Sequence, residues 1–218
     1  MKKILTILLS FLFISFQAAK AEFGMGITAA VHMFEADGTE TTRQSLQKNT
    51  GSHSEDVLVP ELFLEAYSDG YTFGLSYIPT RELGSKSRSD TSTTGDSQDT
   101  GTYTADAEIK NVVQIYTDIP TGFDVSGFPI HGKLGIQHAT LATLESLNSG
   151  STYPDQDILG LTIGFGTKGD LAYADNMFYK AEATYTKFED YESESNAQNK
   201  VEAELEDIAI KLSIGYKF

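Results

Sequence analysis

The chain has 218 residues, enough for one domain of ordinary size, and a formal net charge of −15 at pH 7. Its excess of acidic residues argues against nucleic-acid binding, which calls for a basic surface. It contains no cysteine. Disulfide bonds, thiolate catalysis and zinc–thiolate sites are therefore excluded.

The first residues have the pattern of a secretory signal peptide. A basic start, Met1-Lys2-Lys3, precedes an apolar run over 4–16 and the small-x-small sequence Ala19-Lys20-Ala21. This run is shorter than the roughly 18 residues or more that a spanning helix needs. We therefore expect residues 1–21 to be cleaved, in preference to a retained anchor, and residues 22–218 to form one domain.

Beyond residue 21, apolar and polar residues alternate with a period of two, which predicts extended strands with one apolar and one polar face. In the first strand, Phe23, Met25 and Ile27 alternate with Gly24 and Gly26. We expect eight such strands, over approximately residues 23–33, 57–67, 71–77, 103–116, 130–145, 159–166, 177–186 and 208–218. No later apolar run approaches roughly 18 residues, so no transmembrane helix is expected.

The connections between these strands differ in length. Asp69-Gly70 is predicted to be a tight turn, because it supplies a positive-φ position. The connections after the first, third, fifth and seventh strands are 35–56, 80–102, 146–157 and 189–207. The other two are 119–129 and 167–176. If both termini are periplasmic, the first set lies outside the cell. Long external loops, short periplasmic turns and an even strand number are typical of bacterial outer-membrane barrels.

The predicted fold class is therefore an all-β, eight-stranded antiparallel up-and-down transmembrane β-barrel. A soluble eight-stranded barrel or sandwich is the alternative, because alternation alone does not tell the inside from the outside. Aromatic residues near strand ends, such as Tyr71 and Tyr179, favour the membrane barrel, where they form interfacial girdles. Charges of both signs on the polar face also favour it, because they can pair in a barrel interior.

The predicted interior is a polar network of paired charges. Its expected members are Glu61, Glu65, Glu108, Lys110, Lys133, Lys180, Glu182 and Lys211. An eight-stranded barrel is just wide enough for its own side chains to fill it, so we expect a closed plug. A cation path along the four glutamates is the alternative.

The closing strand carries apolar residues at every even position from Ile208 to Phe218. Together with the signal peptide and the amphipathic strands, it resembles the small eight-stranded outer-membrane barrels of Gram-negative bacteria, of the OmpA-barrel, OmpX and OmpW sort. The segments Leu75-Ser76-Tyr77-Ile78-Pro79 and Lys211-Leu212-Ser213-Ile214-Gly215 are similar to small barrel proteins of marine alphaproteobacteria.

This resemblance implies a location in the bacterial outer membrane with both termini periplasmic. It implies outer-membrane lipid and lipopolysaccharide as partners, and the barrel-assembly machinery as a partner during biogenesis. The implied assembly signal is the apolar row of the closing strand, Ile210, Leu212, Ile214, Tyr216 and Phe218.

The histidines do not predict a catalytic or metal site. His138 and Thr140 are expected on the outer face and are similar to a lipid-facing His-x-Ser pair of a lipid A deacylase family, in which histidine activates serine. Here threonine replaces serine, and Glu145 lies on the opposite face. His32 and His131 are expected inside the barrel, hydrogen-bonded, and no pair has the spacing of a zinc site. No cofactor is expected.

The stretch 189–207 is strongly acidic and is predicted to be a solvated loop, with divalent-cation binding as the alternative. Val201, Ala203 and Leu205 are out of phase with Ile208, which predicts a β-bulge or a strand boundary near Glu206-Asp207. The expected function is structural or surface-interactive, without enzymatic activity. The alternatives are a narrow channel or lateral conduit for small molecules, and a lipid-modifying enzyme.

Overall fold

The computed structural model describes residues 22–41, 43, 46, 48–90, 101–146, 153–195 and 198–218. The predicted signal peptide, residues 1–21, lies outside the described residues. Within the described part of the chain, no helix is long and apolar enough to cross a membrane.

The described residues form ten β-strands rich in β-branched and aromatic residues, which suit a pleated, half-buried surface. They are β1 (Glu22–Thr41), β2 (Lys48–Ser68), β3 (Tyr71–Ile78), β4 (Arg81–Asp90), β5 (Gly101–Val125), β6 (Phe128–Ser146), β7 (Gln156–Asp170), β8 (Met177–Phe188), β9 (Tyr191–Glu194) and β10 (Lys200–Lys217).

These strands occupy eight positions around a closed antiparallel ring. The order is β1-β2-β3-β5-β6-β7-β8-β10, and β10 pairs with β1 to close it. β4 continues the position of β3, because both pair with β5, and β9 continues β8 along β10. This architecture confirms the predicted all-β, eight-stranded antiparallel barrel.

The register determines how strongly the strands are staggered. Starting at Phe23 and following directly paired residues around all eight positions leads back to Met33 of β1, ten residues further along the same strand. A staggered ring of eight strands has an interior that side chains can fill. The start of β1 and the end of β10 meet at one rim, where the Phe218 N–H donates to the Phe23 carbonyl at 2.9 Å.

Several predicted loops are largely strand. β1 continues to Thr41 and β2 starts at Lys48, so most of 35–56 is paired hairpin. β4 and the start of β5 occupy parts of 80–102, while β9 and the start of β10 occupy parts of 189–207. The composition of these stretches is polar because their outer faces are exposed, while backbone pairing continues along the neighbouring strands.

The connection predicted over 119–129 is also mostly strand. β5 runs to Val125 and β6 begins at Phe128, joined by a turn at Ser126 and Gly127. Both turn residues have positive φ, 55° and 87°. Positive φ at both central residues is the geometry of the type I′ turn, a common two-residue hairpin turn.

The prediction of a β-bulge or a strand boundary near Glu206-Asp207 is wrong. β10 pairs with β1 without a register shift from Lys200 to Lys217. Val201, Ala203 and Leu205 instead share the inward face with Asp207 and Lys211. The apolar residues of β10 change face because the barrel interior changes from polar to apolar along this one regular strand.

A register shift does occur in β5, between Lys110 and Val113. Asn111 lies there with φ of 52°, a left-handed conformation that asparagine tolerates better than most residues. Because the extra residue reverses the alternation, Ile109 and Val112 are both completely buried, at 0% exposure.

Candidate functional site

The barrel interior has two layers of opposite character. We call the half nearest Phe23 and Phe218 the charged layer. It consists of His32, Glu61, Glu65, Tyr116, Asp118, His131, Lys133, Lys180, Glu182, Asp207 and Lys211, all buried. We call the half beyond it the apolar layer. It consists of Phe34, Val59, Ile78, Leu83, Ile109, Val112, Ala139, Leu141, Ile158, Phe188, Tyr191 and Leu205.

The outer wall has the reverse polarity at each level. Beside the charged layer, Leu212 is 63% exposed while its neighbour Lys211 is 4% exposed. Beside the apolar layer, Glu204 is exposed while its neighbour Leu205 is 2% exposed. The exposed apolar side chains around the charged layer form a continuous ring, which we call the apolar belt. It includes Met25, Ile27, Leu62, Leu64, Phe73, Leu75, Leu134, Ile136, Leu161, Ile163, Ile210, Leu212 and Ile214.

Six of the eight residues predicted for the lumen network point inward and are buried. They are Glu61, Glu65, Lys133, Lys180, Glu182 and Lys211. Glu108 and Lys110 require a correction, because the register shift at Asn111 turns them to the outer wall. There the Lys110 ammonium lies 3.5 Å from Glu108 and 3.8 Å from Asp155.

Two lysines sit at the centre of the charged layer. Lys133 Nζ lies 2.6 Å from Asp118 Oδ1 and 3.1 Å from Glu182 Oε1. Lys180 Nζ contacts Glu65 Oε1 and lies 3.5 Å from both Asp118 and Glu182. Each ammonium therefore bridges carboxylates from different strands. Such pairing makes the burial of charge tolerable.

Tyrosines satisfy the remaining acceptors of Glu65. The Tyr116 hydroxyl donates to Glu65 Oε1 at 2.6 Å, and the Tyr67 hydroxyl donates to Glu65 Oε2 at 2.8 Å. Lys133 Nζ also lies 3.4 Å from the centre of the Tyr116 ring, a cation–π contact.

A second group lies at the boundary with the apolar layer. His32 is 0% exposed; its Nδ1 is 2.8 Å from Asp207 Oδ2 and its Nε2 is 3.0 Å from Glu61 Oε1. Lys211 donates to both oxygens of Glu61, at 2.8 and 3.1 Å. Arg81 is 4% exposed and lies above the Phe34 ring, 4.6 Å from its centre.

Sequence reasoning missed Asp118, Asp207 and Arg81. Asp118 continues the inward alternation of Gln114 and Tyr116 by one step, and Asp207 continues that of Lys211 and Ala209. Extending each predicted strand by two residues along its own alternation would have found both aspartates. Arg81 carries no such signal, because it follows the break at Pro79.

Asp118, His131 and Glu182 place three potential ligand atoms within 4.8 Å of one another. The His131 Nε2 lies 3.1 Å from Glu182 Oε1. The ammonium groups of Lys133 and Lys180 already neutralise these carboxylates at contact distance. A divalent cation would have to displace both, so the geometry favours an ion-pair network over a metal centre.

Little space remains within the charged layer. A cavity of about 10 Å³ lies among its side chains, near the lower limit for a single water molecule. It is lined by Thr28, Glu61, Phe63, Ser76, Gln114, Tyr116, Lys133, Lys180, Glu182 and Lys211. The packed apolar layer lies above it, so the side chains of the two layers fill much of the described lumen.

On the outer wall, Asp157 joins the two residues that resemble a hydrolase pair. The Thr140 hydroxyl donates to Asp157 Oδ1 at 2.9 Å, and His138 Nε2 lies 3.8 Å from Asp157 Oδ2. The sequence did not predict this acid, because Asp157 lies on the neighbouring strand β7 and only the strand pairing places it opposite Thr140. The contacts found among the described residues link both side chains to Asp157, whereas nucleophilic catalysis requires the histidine to contact the hydroxyl.

The acidic stretch of β9 and β10 lies on the outer surface beyond the belt. A concave surface of about 620 Å³ is lined there by Asp37, Gly38, Thr39, Thr50, Gly51, Ser52, Asp190, Glu192, Glu202, Ala203 and Glu204. It is built on the paired strands β2, β1, β10 and β9. Apart from Asp190, which lies between β8 and β9, its carboxylates belong to a sheet face and not to a loop.

The described wall has a seam without backbone pairing between β2 and β4. β2 pairs with β3 only from Leu62 to Ser68, and over the described strands no ladder joins β2 to β4. His53 of β2 closes part of this seam by packing on Gly84 of β4, where a Cβ atom would lie 2.1 Å from His53 Nε2. Gly84, with φ of 98°, is therefore required by both space and backbone conformation.

Comparisons with known proteins find no matching family model and no matching curated protein. Among solved structures, the chain is similar to the outer membrane protease OmpT from Escherichia coli, with 8% identity and a TM-score of 0.49, over 93% of this chain and 99% of that one. It is similar to the outer membrane protein OprG from Pseudomonas aeruginosa, with 11% identity and a TM-score of 0.49, over 89% and 96%. It is also similar to Neisserial surface protein A, with 14% identity and a TM-score of 0.38, over 92% and 100%.

Proposed function

We propose that the chain is a bacterial outer-membrane β-barrel protein with a closed interior and a structural or surface-interaction role. Residues 1–21 act as a cleaved signal peptide in this proposal. The reversal of polarity along the barrel is the observation that supports it. In the charged layer the interior is polar and the wall is apolar, as a bilayer requires. In the apolar layer the interior is apolar and the wall polar, as water requires.

The exposed area of the apolar belt is too large for a barrel surrounded by water. Ile27 and Leu212 are each 63% exposed, and Leu161 is 62% exposed. Soluble monomers rarely present contiguous apolar surfaces larger than a few hundred Å². Lipid is the partner that fits a belt running around the whole barrel, and lipopolysaccharide is the outer-leaflet lipid in this proposal.

The start of β1 and the end of β10 lie at the rim of the charged layer. In this proposal that rim and both termini of the cleaved chain face the periplasm, so the apolar layer extends outside the cell. Specificity then resides in the external strands and loops. Their outer faces differ: β1, β9 and β10 carry carboxylates, whereas the β4–β5 hairpin carries paired hydroxyls, with Ser87 and Thr104 oxygens 2.8 Å apart.

Cysteine labelling in intact cells tests this orientation, because the chain has no cysteine of its own. Glu192→Cys lies in the proposed external part, and Asp175→Cys lies in the turn beside the end of β10. A membrane-impermeant maleimide is expected to label only position 192 in whole cells and both positions after lysis. Labelling of position 175 alone in whole cells would show that the barrel has the opposite orientation.

A planar bilayer measurement tests the closed interior. The purified protein is expected to give no single-channel steps, because the apolar layer seals the charged layer from the outer rim. Clear unitary conductance would contradict the plug and support the cation-path alternative.

The second candidate function is a lateral conduit for small apolar molecules. The seam between β2 and β4 favours it, because two wall strands there are not held by backbone hydrogen bonds. Val59 and Leu83 line the seam from inside. If the seam conducts, Val59→Ala with Leu83→Ala raises uptake of an apolar dye into vesicles, whereas outward Leu58→Ala does not. Unchanged uptake in all variants would argue against the conduit and leave the structural or surface-interaction role.

We propose that the chain has no enzymatic activity. The Thr140–Asp157–His138 group is the arrangement on the described outer wall that resembles an acyl-transfer site, and the hydrogen bond of its hydroxyl goes to the acid. Mass analysis of lipid A from cells with the protein, with His138→Ala and without the protein is expected to give one identical pattern. A lipid A species that disappears in both the variant and the deletion would establish an enzyme.

A further inference from the structure

The β5–β6 hairpin extends beyond its neighbours at the rim that carries Phe23 and Phe218. β5 pairs with β3 only as far as Asp118, and β6 pairs with β7 only from Ile130 onward. Over the described strands, residues 121–129 therefore have no neighbouring strand on either side. Every residue of this segment, which we call the rim hairpin, is exposed.

The rim hairpin has a fixed shape. At its tip, the Gly127 N–H donates to Asp124 Oδ1 at 2.7 Å beside the positive-φ turn. At its base, the Thr121 hydroxyl donates to the Ile130 carbonyl at 2.6 Å and accepts from the Phe123 N–H at 3.2 Å. Backbone pairing between β5 and β6 resumes between base and tip. The side chains of the hairpin are therefore held on definite faces.

A register shift at the base determines which face each side chain takes. The last pair before the shift joins Pro120 to His131. The first pair after it joins Asp124 to Pro129, so three residues of β5 lie opposite Ile130 alone and two of them are extra. Two extra residues preserve the period-two alternation, because successive side chains point to opposite faces. The outward face of the barrel wall therefore continues onto the hairpin.

The outward face of the rim hairpin is apolar. Phe128 continues the outward row of β6 that carries Leu134 and Ile136 in the apolar belt. Val125 lies directly opposite Phe128 on the same face, and Phe123 shares that face by alternation. Phe123, Val125 and Phe128 are 73%, 60% and 47% exposed. We call these three side chains the hairpin face, and it continues the belt beyond the paired neighbours.

The hairpin face carries no charge. Asp124 is the only charged residue of segment 121–129, and it lies opposite Pro129 on the other face. An acidic or basic ligand therefore finds no counter-charge on the hairpin face. Three large apolar side chains on one face are typical of a surface that binds an apolar or interfacial partner.

The position of the hairpin face matches the surface of a bilayer. Along β6, Phe128 lies two residues beyond Ile130, which is about 7 Å along a strand. At a typical strand tilt of roughly 45°, this is about 5 Å along the membrane normal. The head-group region on each side of a bilayer is about 5–7 Å thick. Because Ile130 ends the part of β6 that pairs with β7, the hairpin face reaches this region from the edge of the belt.

We propose that the hairpin face binds lipid in the head-group region of the periplasmic leaflet and so holds this rim of the barrel at the membrane surface. The inference rests on the outer-membrane location proposed above, and it adds a lipid contact outside the apolar belt. Continuity with the belt is the observation that selects lipid as the occupant. Because the face is uncharged, binding requires no anionic lipid.

Single-tryptophan variants test the proposal, because the chain contains no tryptophan. Phe123→Trp and Phe128→Trp place the probe on the hairpin face. Leu134→Trp places it in the belt, and Pro129→Trp places it on the opposite face of the same hairpin. Each variant of residues 22–218 is refolded into vesicles of zwitterionic phosphatidylcholine, with or without bromine on the acyl chain near the head group. The faster gel migration of the unheated barrel verifies folding.

We expect the brominated lipid to quench the fluorescence at positions 123 and 128 by at least about half as much as at position 134, because an interfacial side chain lies at the boundary of the acyl chains. Position 129 is expected to be quenched by aqueous acrylamide and not by the lipid. Addition of anionic phosphatidylglycerol is expected to leave these results unchanged.

The outcomes separate this proposal from the one on which it rests. If positions 123 and 128 respond like position 129 while position 134 is quenched by lipid, the hairpin inference is wrong and the belt stands. If position 134 is also quenched only from water, the outer-membrane proposal fails and the hairpin inference fails with it. Lipid quenching that requires anionic lipid would show an ionic contact. Protection from acrylamide by a soluble periplasmic extract, without lipid quenching, would show a protein partner. Either result would overturn the inference.

Discussion

The charged layer and the apolar layer are built from the same strands, yet they are held together by different forces. In the charged layer, Lys180 joins Glu65, Asp118 and Glu182 across the lumen. In the apolar layer, Ile158 and Phe188 are 0% and 2% exposed and make no ionic contact. This difference shows that strands with one alternating pattern can face lipid along one half and water along the other. The polar residues must then point inward in the first half and outward in the second.

The boundary between the layers lies at His32, Arg81 and Asp207. Along β10, the inward residues change from Ser213 and Lys211 through Asp207 to Leu205 without any break in the strand. The backbone pairing is therefore the same in both layers, and only the side chains differ between them. In the proposed orientation this boundary is close to the outer face of the bilayer.

The largest effect is expected from the outward row of β10. Removal of Phe218 should strongly reduce membrane yield in cells if this row is the assembly signal. Lys211→Ala, on the inward face of the same strand, should leave the yield intact and lower the free energy of unfolding by about 3 kcal/mol, because it breaks a buried ion pair. Immunoblots of membrane fractions and urea unfolding measure the two quantities. Normal yield without Phe218 would refute the assembly signal.

Breaking the centre of the charged layer is expected to cost about 3–5 kcal/mol of unfolding free energy. Lys180→Ala leaves buried carboxylates without one of their shared cations, and an unpaired buried charge is strongly destabilising. The control is Lys187→Ala, whose half-exposed ammonium lies 3.3 Å from Glu204 on the outer wall. That change should alter stability by about 1 kcal/mol or less. Equal effects in urea unfolding would show that the interior pairing is no stronger than surface pairing.

In the apolar layer, Ile158→Ala is expected to lower the free energy of unfolding by about 3 kcal/mol, because it leaves a cavity in a packed core. Leu161→Ala is the matched control on the same strand, since Leu161 faces outward and is 62% exposed. Its truncation leaves no internal cavity, and a smaller loss is expected in micelles. A larger loss for Leu161 would mean that the belt, and not the apolar layer, stabilises this part of the barrel.

The smallest effect concerns the bulge that connects the two alternations of β5. Asn111→Val should lower stability by about 1–2 kcal/mol, because a β-branched residue resists the left-handed conformation at φ of 52°. Asn111→Gly should be close to neutral, because glycine adopts that conformation readily. If valine is tolerated as well as glycine, the bulge is not held by this backbone conformation.

The period-two alternation of the sequence was sufficient to predict the charged half of the barrel. Ile27, Leu62 and Leu212 face outward there, while Lys133, Lys180 and Glu182 point inward. Strand positions follow from alternation because successive side chains in a strand point to opposite faces. Strand number and the antiparallel order follow from the turns and the even count. Alternation and turns involve residues close together in the chain, so they can be recognised from a single sequence.

The remainder was decided by tertiary structure. Alternation defines two faces but does not say which face is inside, so the exchange of faces at Leu205 resembled a bulge, and the real bulge at Asn111 was hidden. Polar strands beyond the belt resembled loops because only pairing with a neighbour identifies them as strands. Register around the ring placed Asp207 beside His32 and Asp157 beside Thr140. Such partners lie far apart in the chain, and only closure of the barrel brings them together.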